Sequence, residues 1–134
     1  MVIDTSAIVA IALNEPEATE FEQWIADDPV RLISAATVLE ATIVLETRLG
    51  DVAGREFDLW LHKVGAEIIP VDAEQMDVAR RAWRRYGRGR HSAALNFGDC
   101  FSYALALTRG EQLLFNGEDF ARTDIDRRIE GSAG

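Results

Sequence analysis

Four acidic residues stand at positions in the sequence where a carboxylate is unusual. Asp4 ends a short apolar segment at the start of the chain, and Glu40 lies among apolar residues of a predicted helix. Asp99 falls in the first turn of another predicted helix, and Asp119 follows the last predicted strand. Carboxylates that converge in one cleft repel one another, and burial adds to the cost of ionising them. A hard divalent cation such as Mg²⁺ or Mn²⁺ would resolve this conflict and could activate water for attack on a phosphodiester.

Simpler roles for the same acids stay open at this level, because the chain contains 23 Asp and Glu residues. Asp4 could serve only as the cap of the next helix, and Asp99 could only favour a helix dipole. Glu40 could be a solvated helix residue, and Asp119 could be a turn residue.

Other catalytic chemistries find no support in the sequence. His62, His91 and the single cysteine, Cys100, lack the spacing of a zinc site, and neither a Gly-rich phosphate loop nor a nucleophile elbow is present. One cysteine cannot form an internal disulfide, which is typical of a reducing cytoplasm. Cys100 is therefore expected to be a small buried side chain.

Short apolar segments alternate with segments of helical period. Strands are predicted at the opening of the chain and at residues 31–34, 67–71 and 112–115. This alternation favours right-handed crossovers and a parallel sheet covered by helices on both faces. We therefore predict a single α/β domain over residues 1–134, with three α/β/α layers, a parallel sheet of four or five strands, and a frayed polar tail from Thr123.

Capping residues and helical spacing locate the helices between these strands. Asp51 is predicted to cap one helix, and Asp72 to cap another in which Gln75 completes a capping box. Trp24 and Trp60 are interpreted as residues of the core or of a dimer interface, as is Trp83. The helix after Asp72 is expected to turn its arginines outward and four residues inward, namely Met76, Ala79, Trp83 and Tyr86.

The charge of the chain is unevenly distributed. The net charge of −9 disfavours nucleic acid binding on average, but residues 80–134 hold 10 of the 14 basic residues. A cluster of arginines could form a track for an RNA backbone, or a solvated face that pairs with the acids Asp72, Glu74 and Asp77. The cluster consists of Arg80, Arg81, Arg84, Arg85, Arg88 and Arg90.

No segment approaches the length of about 18 uncharged apolar residues that a membrane span requires. We therefore expect a protein without a membrane partner, located in the cytoplasm.

Four motifs, in this order along the chain, resemble those of PIN-domain ribonucleases and more narrowly of the VapC toxins of VapBC toxin-antitoxin pairs. The first is Val-Ile-Asp-Thr-Ser-Ala at residues 2–7, and the second is Glu40 in its apolar helix. The third is Asn-Phe-Gly-Asp-Cys-Phe-Ser-Tyr-Ala-Leu-Ala at 96–106, and the fourth is Leu-Leu-Phe-Asn-Gly-Glu-Asp-Phe at 113–120. The resemblance covers nearly the whole chain.

This resemblance implies a Mg²⁺- or Mn²⁺-dependent endoribonuclease. Asp4 and Asp99 would be the most direct metal ligands, with Glu40 and Asp119 completing the cluster. The supporting residues would be Thr5 and Ser6, which match hydroxyls that bond Asp4 or a bound water, and Asn96, which would cap the helix of Asp99.

The fourth motif departs from the family pattern. Phe115 stands where many relatives carry a hydroxyl, and the turn before Asp119 is short. Glu118 or Asp124 could therefore replace Asp119.

The resemblance further implies a homodimer and a VapB-type antitoxin that blocks the acidic cleft. Two other functions stay open from the residues alone: a catalytically silent module that binds RNA or protein, and a small acid-cluster phosphatase. The Asp-x-Asp pair typical of such phosphatases is absent, because Thr5 and Ser6 follow Asp4.

Overall fold

A parallel sheet forms the centre of this computed structural model, which describes residues 1–125. Within those residues its strands follow the order β3-β2-β1-β4, and every neighbouring pair is parallel. Val2 of β1 pairs with Leu32 on one side and Leu113 on the other. The predicted parallel sheet is confirmed, with four strands in the described part of the chain: β1 (Val2–Ile3), β2 (Leu32–Ser34), β3 (Glu67–Ile69) and β4 (Leu113–Leu114).

Six α-helices connect the strands in the described residues. A short 3₁₀ turn, Phe120–Arg122, follows β4. The α-helices are α1 (Thr5–Ala12), α2 (Ala18–Asp27), α3 (Ala35–Leu49), α4 (Asp51–Lys63), α5 (Ala73–Tyr86) and α6 (Phe97–Arg109).

Alternate side chains of the strands enter two separate apolar cores, because successive residues of a strand point to opposite faces. Val2 and Leu113 pack with residues of α5 and α6. Ile3 and Leu114, the next residues along the same strands, pack with residues of α1 to α4. The helices therefore form two layers around the sheet, as the sequence predicts.

The junction between α3 and α4 differs from the prediction. Gly50, with φ at +87°, both ends α3 and caps α4, and Asp51 is the first residue of α4 rather than its cap. The two helices share this one junction residue, and its backbone conformation favours glycine.

Helix α5 confirms the cap at Asp72, whose carboxylate accepts a hydrogen bond from the Gln75 backbone N–H at 2.8 Å. The Gln75 side chain does not complete a capping box, because its amide donates to Thr108 Oγ1 at 2.5 Å. Burial is confirmed for Ala79 and Tyr86.

The prediction that Met76 and Trp83 point inward is wrong, since they are 45% and 42% exposed. These residues lie at the edge of the strip of α5 that packs on α6. The centre of this strip consists of four buried side chains, namely Val78, Ala79, Ala82 and Tyr86.

The remaining interpretations of apolar side chains have mixed outcomes. Trp24 and Trp60 are partly buried and pack against the α1 to α4 core, and Cys100 is buried as expected. At the start of the tail predicted to fray, Thr123 Oγ1 donates to the Phe120 carbonyl and Ile125 packs on the core. The rest of the predicted tail, residues 126–134, lies outside the described residues.

None of the helices described is long and apolar enough to cross a membrane.

Candidate active site

The strand order places a topological switch at β1, because β2 and β3 lie on one side of it and β4 on the other. In parallel α/β sheets, the carboxyl ends of strands at such a switch are the usual ligand site. Asp4 directly follows β1, and the segment with Asp119 follows β4. The site is therefore built around the two central strand ends.

Asp4 is buried, at 3% exposure, and is held by several hydrogen bonds. Its Oδ2 accepts from the backbone N–H and the hydroxyl of Ser6, at 3.0 and 2.7 Å. Its Oδ1 accepts from Ser102 Oγ on α6 at 2.6 Å. Burial raises the pKa of Asp4 above its ordinary value, and the hydrogen bonds from Ser102 and Ser6 offset part of that rise. Asp4 also caps α1, which is the simpler role considered for it, and this cap does not exclude a role in the site.

Ser6 connects Asp4 to the end of β4. Its hydroxyl donates to Asp4 Oδ2 and accepts from the Asn116 backbone N–H at 2.9 Å. The chain beyond β4 is thereby joined to the carboxylate that ends β1.

Glu40 reaches the same region from α3. Thr5 Oγ1 donates to Glu40 Oε1 at 2.5 Å, so the Thr5 hydroxyl orients Glu40 and not Asp4. Burial raises the pKa of Glu40, the Thr5 hydrogen bond lowers it, and the charge of Asp4 raises it. Glu40 is thus a partly buried acid close enough to Asp4 for the two charges to interact.

Gly98 makes the space for the Glu40 carboxylate. A Cβ at position 98 would lie 1.9 Å from Glu40 Oε2, far inside contact distance. Any larger residue at position 98 must therefore displace the carboxylate or the first turn of α6.

Asn96 caps α6 as expected, and Asp99 completes a capping box with it. Its backbone N–H donates to Asn96 Oδ1 at 2.9 Å, and its Oδ2 accepts from the Asn96 backbone N–H at 3.0 Å. The pKa of Asp99 is raised to about 7: burial raises it most, the Asn96 hydrogen bond lowers it, and the charges of Asp4, Asp119 and Glu40 raise it. The charges of the other three sequence-predicted acids therefore act on Asp99, and the charge of Asp4 also acts on Glu40.

Asp119 is the most exposed of the four and enters the site from the turn before Phe120. Glu118 is also exposed. Asp124 has other partners, because Tyr103 donates to its Oδ1 at 2.6 Å and Arg85 lies 3.5 Å from its Oδ2. Of the three acids considered for this position, Asp119 is the one whose charge acts on Asp99.

No basic side chain within residues 1–125 forms an ion pair with any of the four acids. The same part of the chain contains no group of three His, Cys, Asp or Glu side chains gathered closely enough to hold a metal by themselves. Mg²⁺ typically uses one or two carboxylates and keeps several waters. Asp4 and Asp99 fit that mode, since Asp99 Oδ1 accepts no hydrogen bond from the described residues.

Sequence reasoning missed Ser102, Gly98 and Asn116. Ser102 is fully buried and lies three residues after Asp99, on the same face of α6. That spacing is the signal that could have found it, because a polar residue beside a site acid in an apolar helix needs a partner. Gly98 acts by leaving room for the Glu40 carboxylate, and Asn116 acts through its backbone N–H. The sequence offers no comparable signal for either contact.

The arginine cluster divides into paired and unpaired members. Arg80 and Arg81 form ion pairs with Asp77, as the solvated-face alternative predicts. Arg85 pairs with Asp124, and the Arg90 guanidinium lies 4.2 Å above the Trp83 ring. Arg84 and Arg88 are exposed and form no ion pair with residues 1–125.

The raised carboxylate pKa values predict a pH dependence of stability in the absence of divalent cations. Between about pH 4.5 and 7 the folded protein binds more protons than the unfolded chain, so the free energy of unfolding falls as pH rises. The raised pKa values of Asp4, Glu40 and Asp99 all change the free energy of unfolding in this same direction. The lowered pKa of Asp77 acts below this range. Thermal denaturation in EDTA should show a melting temperature that decreases from pH 5 to pH 7.5. An increase would contradict the raised pKa values of these three carboxylates.

Comparisons with known proteins show the family of this chain. The family model of the PIN domain matches residues 1–126. Ribonuclease VapC of Mycolicibacterium smegmatis is 58% identical over 125 residues, which cover 93% of this chain and 97% of the relative.

Two solved structures share the fold at low sequence identity. Mycobacterium tuberculosis VapC20, described as a toxin that cleaves the sarcin-ricin loop, has a TM-score of 0.76 and 21% identity, covering 96% of this chain and 98% of that one. VapBC2 from Rickettsia felis, bound to a DNA fragment from its promoter, has a TM-score of 0.74 and 15% identity, covering 95% and 96%. The chain belongs to the PIN-domain family and, within it, to the VapC ribonucleases.

Proposed function

We propose that this chain is the toxin of a type II toxin-antitoxin pair and hydrolyses RNA phosphodiester bonds with Mg²⁺ or Mn²⁺. One observation carries the proposal: the charges of Asp4, Glu40 and Asp119 all act on Asp99, and no basic side chain of residues 1–125 forms an ion pair with any of these four acids. Buried carboxylates without a compensating cation are costly. A divalent cation and the phosphate that it attracts would satisfy this site. We take residues 1–134 as one PIN domain.

Asp4 and Asp99 are the residues that would hold the cation. When bound, it would supply Lewis acid stabilisation of the phosphate and a lowered pKa for water. Ser6 and Ser102 orient the Asp4 carboxylate, and Asn96 orients Asp99. Each of these bonds reduces the motion of the carboxylate before substrate arrives.

We assign to Glu40 the role of the base that would accept a proton from the attacking water. Burial raises its pKa, which makes it a better base than a solvated carboxylate. Thr5 holds its Oε1, and Gly98 leaves room for its Oε2. Asp119 adds a fourth, exposed carboxylate at the rim, where it can interact with ion or solvent.

The proposal extends to the partners and the location of the protein. The VapBC2 structure from Rickettsia felis supports a VapB-type antitoxin as the cognate inhibitor. An acidic cleft suits a basic inhibitory segment of such a partner. We further propose a homodimer that acts in the cytoplasm. Co-expression of this chain with its VapB-type antitoxin, followed by purification, tests the complex. Failure of the two proteins to co-purify would contradict this part of the proposal.

Incubation of purified protein with total cellular RNA tests the activity. We expect discrete cuts with Mg²⁺ or Mn²⁺, none with EDTA, and none with Asp4→Asn. Asp58→Asn is the matched control, because Asp58 is an exposed acid of α4. Sequencing of the new RNA ends would identify the target. Cuts that persist in EDTA or in Asp4→Asn would overturn the mechanism. Metal-independent RNA retention without cuts would instead favour a silent binding module, and hydrolysis of a chromogenic phosphate monoester would favour a phosphatase.

Ser102→Ala should lower the cleavage rate by about 10- to 100-fold, the usual effect of removing a residue that orients a metal ligand. Asp4 Oδ1 would lose its 2.6 Å donor, and the 3.3 Å contact between Ser102 and Thr37 would also be lost. We expect a loss of stability of about 1–3 kcal/mol, because buried polar groups stay unpaired.

Metal titration of the cleavage rate separates the two effects of Ser102→Ala. A raised half-saturating Mg²⁺ concentration supports an orienting role for Ser102. Ser92→Ala, at an exposed position of the loop before α6, is the control. A stability loss with unchanged metal dependence would contradict the orienting role.

A further inference from the structure

Two hydroxyl groups meet in the buried contact between α3 and α6. Thr37 Oγ1 of α3 lies 3.3 Å from Ser102 Oγ of α6, and both residues are buried, at 2% and 0% exposure. Ser102 in turn donates a hydrogen bond to Asp4 Oδ1 at 2.6 Å. A line of hydrogen bonds therefore runs from α3 through α6 to the carboxylate that follows β1.

The direction of this line follows from the chemistry of its members. An ionised carboxylate only accepts hydrogen bonds, so Ser102 uses its one hydroxyl proton in the bond to Asp4. Ser102 Oγ can then only accept from Thr37, and Thr37 is the donor of the 3.3 Å contact. A hydroxyl that accepts a hydrogen bond is polarised into a stronger donor. Thr37 therefore fixes the Ser102 hydroxyl and strengthens its bond to Asp4.

The bond of Thr37 across the α3–α6 contact differs from that of the next threonine in the same helix. Thr42 Oγ1 donates to the carbonyl of Val38, one turn earlier, at 2.8 Å. Thr37 lies in the first turn of α3, where no helix carbonyl precedes it, and Ser102 is its only hydrogen-bond partner within residues 1–125. Valine could fill this buried position without a polar group, so the bond to Ser102 is what accounts for a hydroxyl there.

The helix that carries Thr37 also carries Glu40. These two residues are three positions apart, so they lie on neighbouring parts of one face of α3. Thr5, the residue after Asp4, donates to Glu40 Oε1 at 2.5 Å. Each acid is therefore held by a hydroxyl from the segment that carries the other acid, directly by Thr5 in one case and through Ser102 in the other. This reciprocal arrangement ties the orientation of Asp4 to the position of α3.

Resting on the proposed function, we propose that Thr37 is a positioning residue for cation binding, which acts through Ser102 on the orientation of the Asp4 carboxylate. Thr37 itself bonds neither the carboxylate nor the cation. Loss of its hydroxyl should weaken cation binding while the fold persists, because Asp4 keeps its bonds from the backbone N–H and hydroxyl of Ser6. The effect should also be smaller than that of losing Ser102.

Calorimetric titration with Mn²⁺ tests the positioning role without cleavage. Thr37→Val should weaken Mn²⁺ binding by about 3- to 10-fold, below the range of about 10- to 100-fold for a residue that contacts a metal ligand directly. Thr37→Ser keeps the hydroxyl and should restore the wild-type affinity. Thr42→Val is the matched control, because it removes a hydroxyl of the same helix that donates to the Val38 carbonyl. If circular dichroism shows that Thr37→Val does not fold, Thr37→Ala takes its place.

A second readout needs no metal. The Ser6 backbone N–H donates to Asp4 Oδ2 at 3.0 Å, so its amide NMR resonance in EDTA reports the orientation of that carboxylate. Thr37→Val and Ser102→Ala should shift this resonance in the same direction. Thr37→Ser and Thr42→Val should leave it in place.

A double variant tests whether Thr37 acts through Ser102. Thr37→Val combined with Ser102→Ala should bind Mn²⁺ no more weakly than Ser102→Ala alone. Three results would overturn the positioning role: unchanged Mn²⁺ affinity in Thr37→Val, Thr37→Ser as weak as Thr37→Val, or additive losses in the double variant. The first would show that Thr37 only packs α3 against α6. Absence of Mn²⁺ binding and of cleavage in the wild-type protein is a different outcome, because it contradicts the proposed function itself.

Discussion

Asp99→Asn is expected to lower the RNA cleavage rate by more than about 100-fold, because loss of a metal ligand should exceed the effect of losing a residue that only orients one. The same substitution should raise the melting temperature of the metal-free protein at pH 7.5. Burial and three neighbouring carboxylates raise the pKa of Asp99 to about 7, so its ionised form destabilises the fold. Asn is uncharged and keeps an oxygen for the Asn96 backbone N–H, so the capping box can persist.

Single-turnover cleavage at saturating Mg²⁺ and thermal denaturation in EDTA measure the two effects of Asp99→Asn. The pH dependence of stability between pH 5 and 7.5 should also become weaker in this variant. Asp51→Asn is the matched control, because Asp51 is an exposed acid in the first turn of α4. A protein that is less stable at pH 7.5 and still cleaves RNA would show that Asp99 acts only as a helix cap.

Gly98→Ala is expected to lower cleavage by about 10- to 100-fold without unfolding the protein. The added Cβ would meet Glu40 Oε2 at 1.9 Å, and the end of the Glu40 side chain can move away. Ala is favoured over Gly inside a helix by about 1 kcal/mol, which offsets part of the strain. The variant should therefore separate the loss of activity from a loss of stability.

The chain contains a matched control for Gly98→Ala. A Cβ at Gly54 in α4 would meet Glu46 Oε2 at 2.2 Å, which is the same kind of contact away from the four acids. Gly54→Ala should leave cleavage unchanged. A double variant of Gly98→Ala with Glu40→Gln should be no slower than Glu40→Gln alone, because both changes act through one carboxylate. Additive losses would mean that Gly98 acts on something other than Glu40.

Local patterns predicted most of the secondary structure because the forces that decide it act over a few residues. Ser34 caps α3 through the Ala36 N–H, and Asn96 and Asp99 form the capping box of α6. Predictions failed where contacts between different elements of the fold decided the outcome. The Gln75 amide prefers Thr108 of α6 over its own cap, and Trp83 lies beside the packed strip of α5 rather than in it.

The sequence alone predicted the order of strands and helices, the parallel sheet and the four candidate acids, because period, caps and motifs are written in consecutive residues. Tertiary structure alone decided how those acids are held. Ser102 bonds Asp4 across 98 residues of sequence, and Gly98 makes room for a carboxylate on another helix. It also decided that Phe97 and Trp83 border one groove between α5 and α6. Such contacts depend on the distance and orientation between packed elements, and neither quantity is encoded in the spacing of residues along one element.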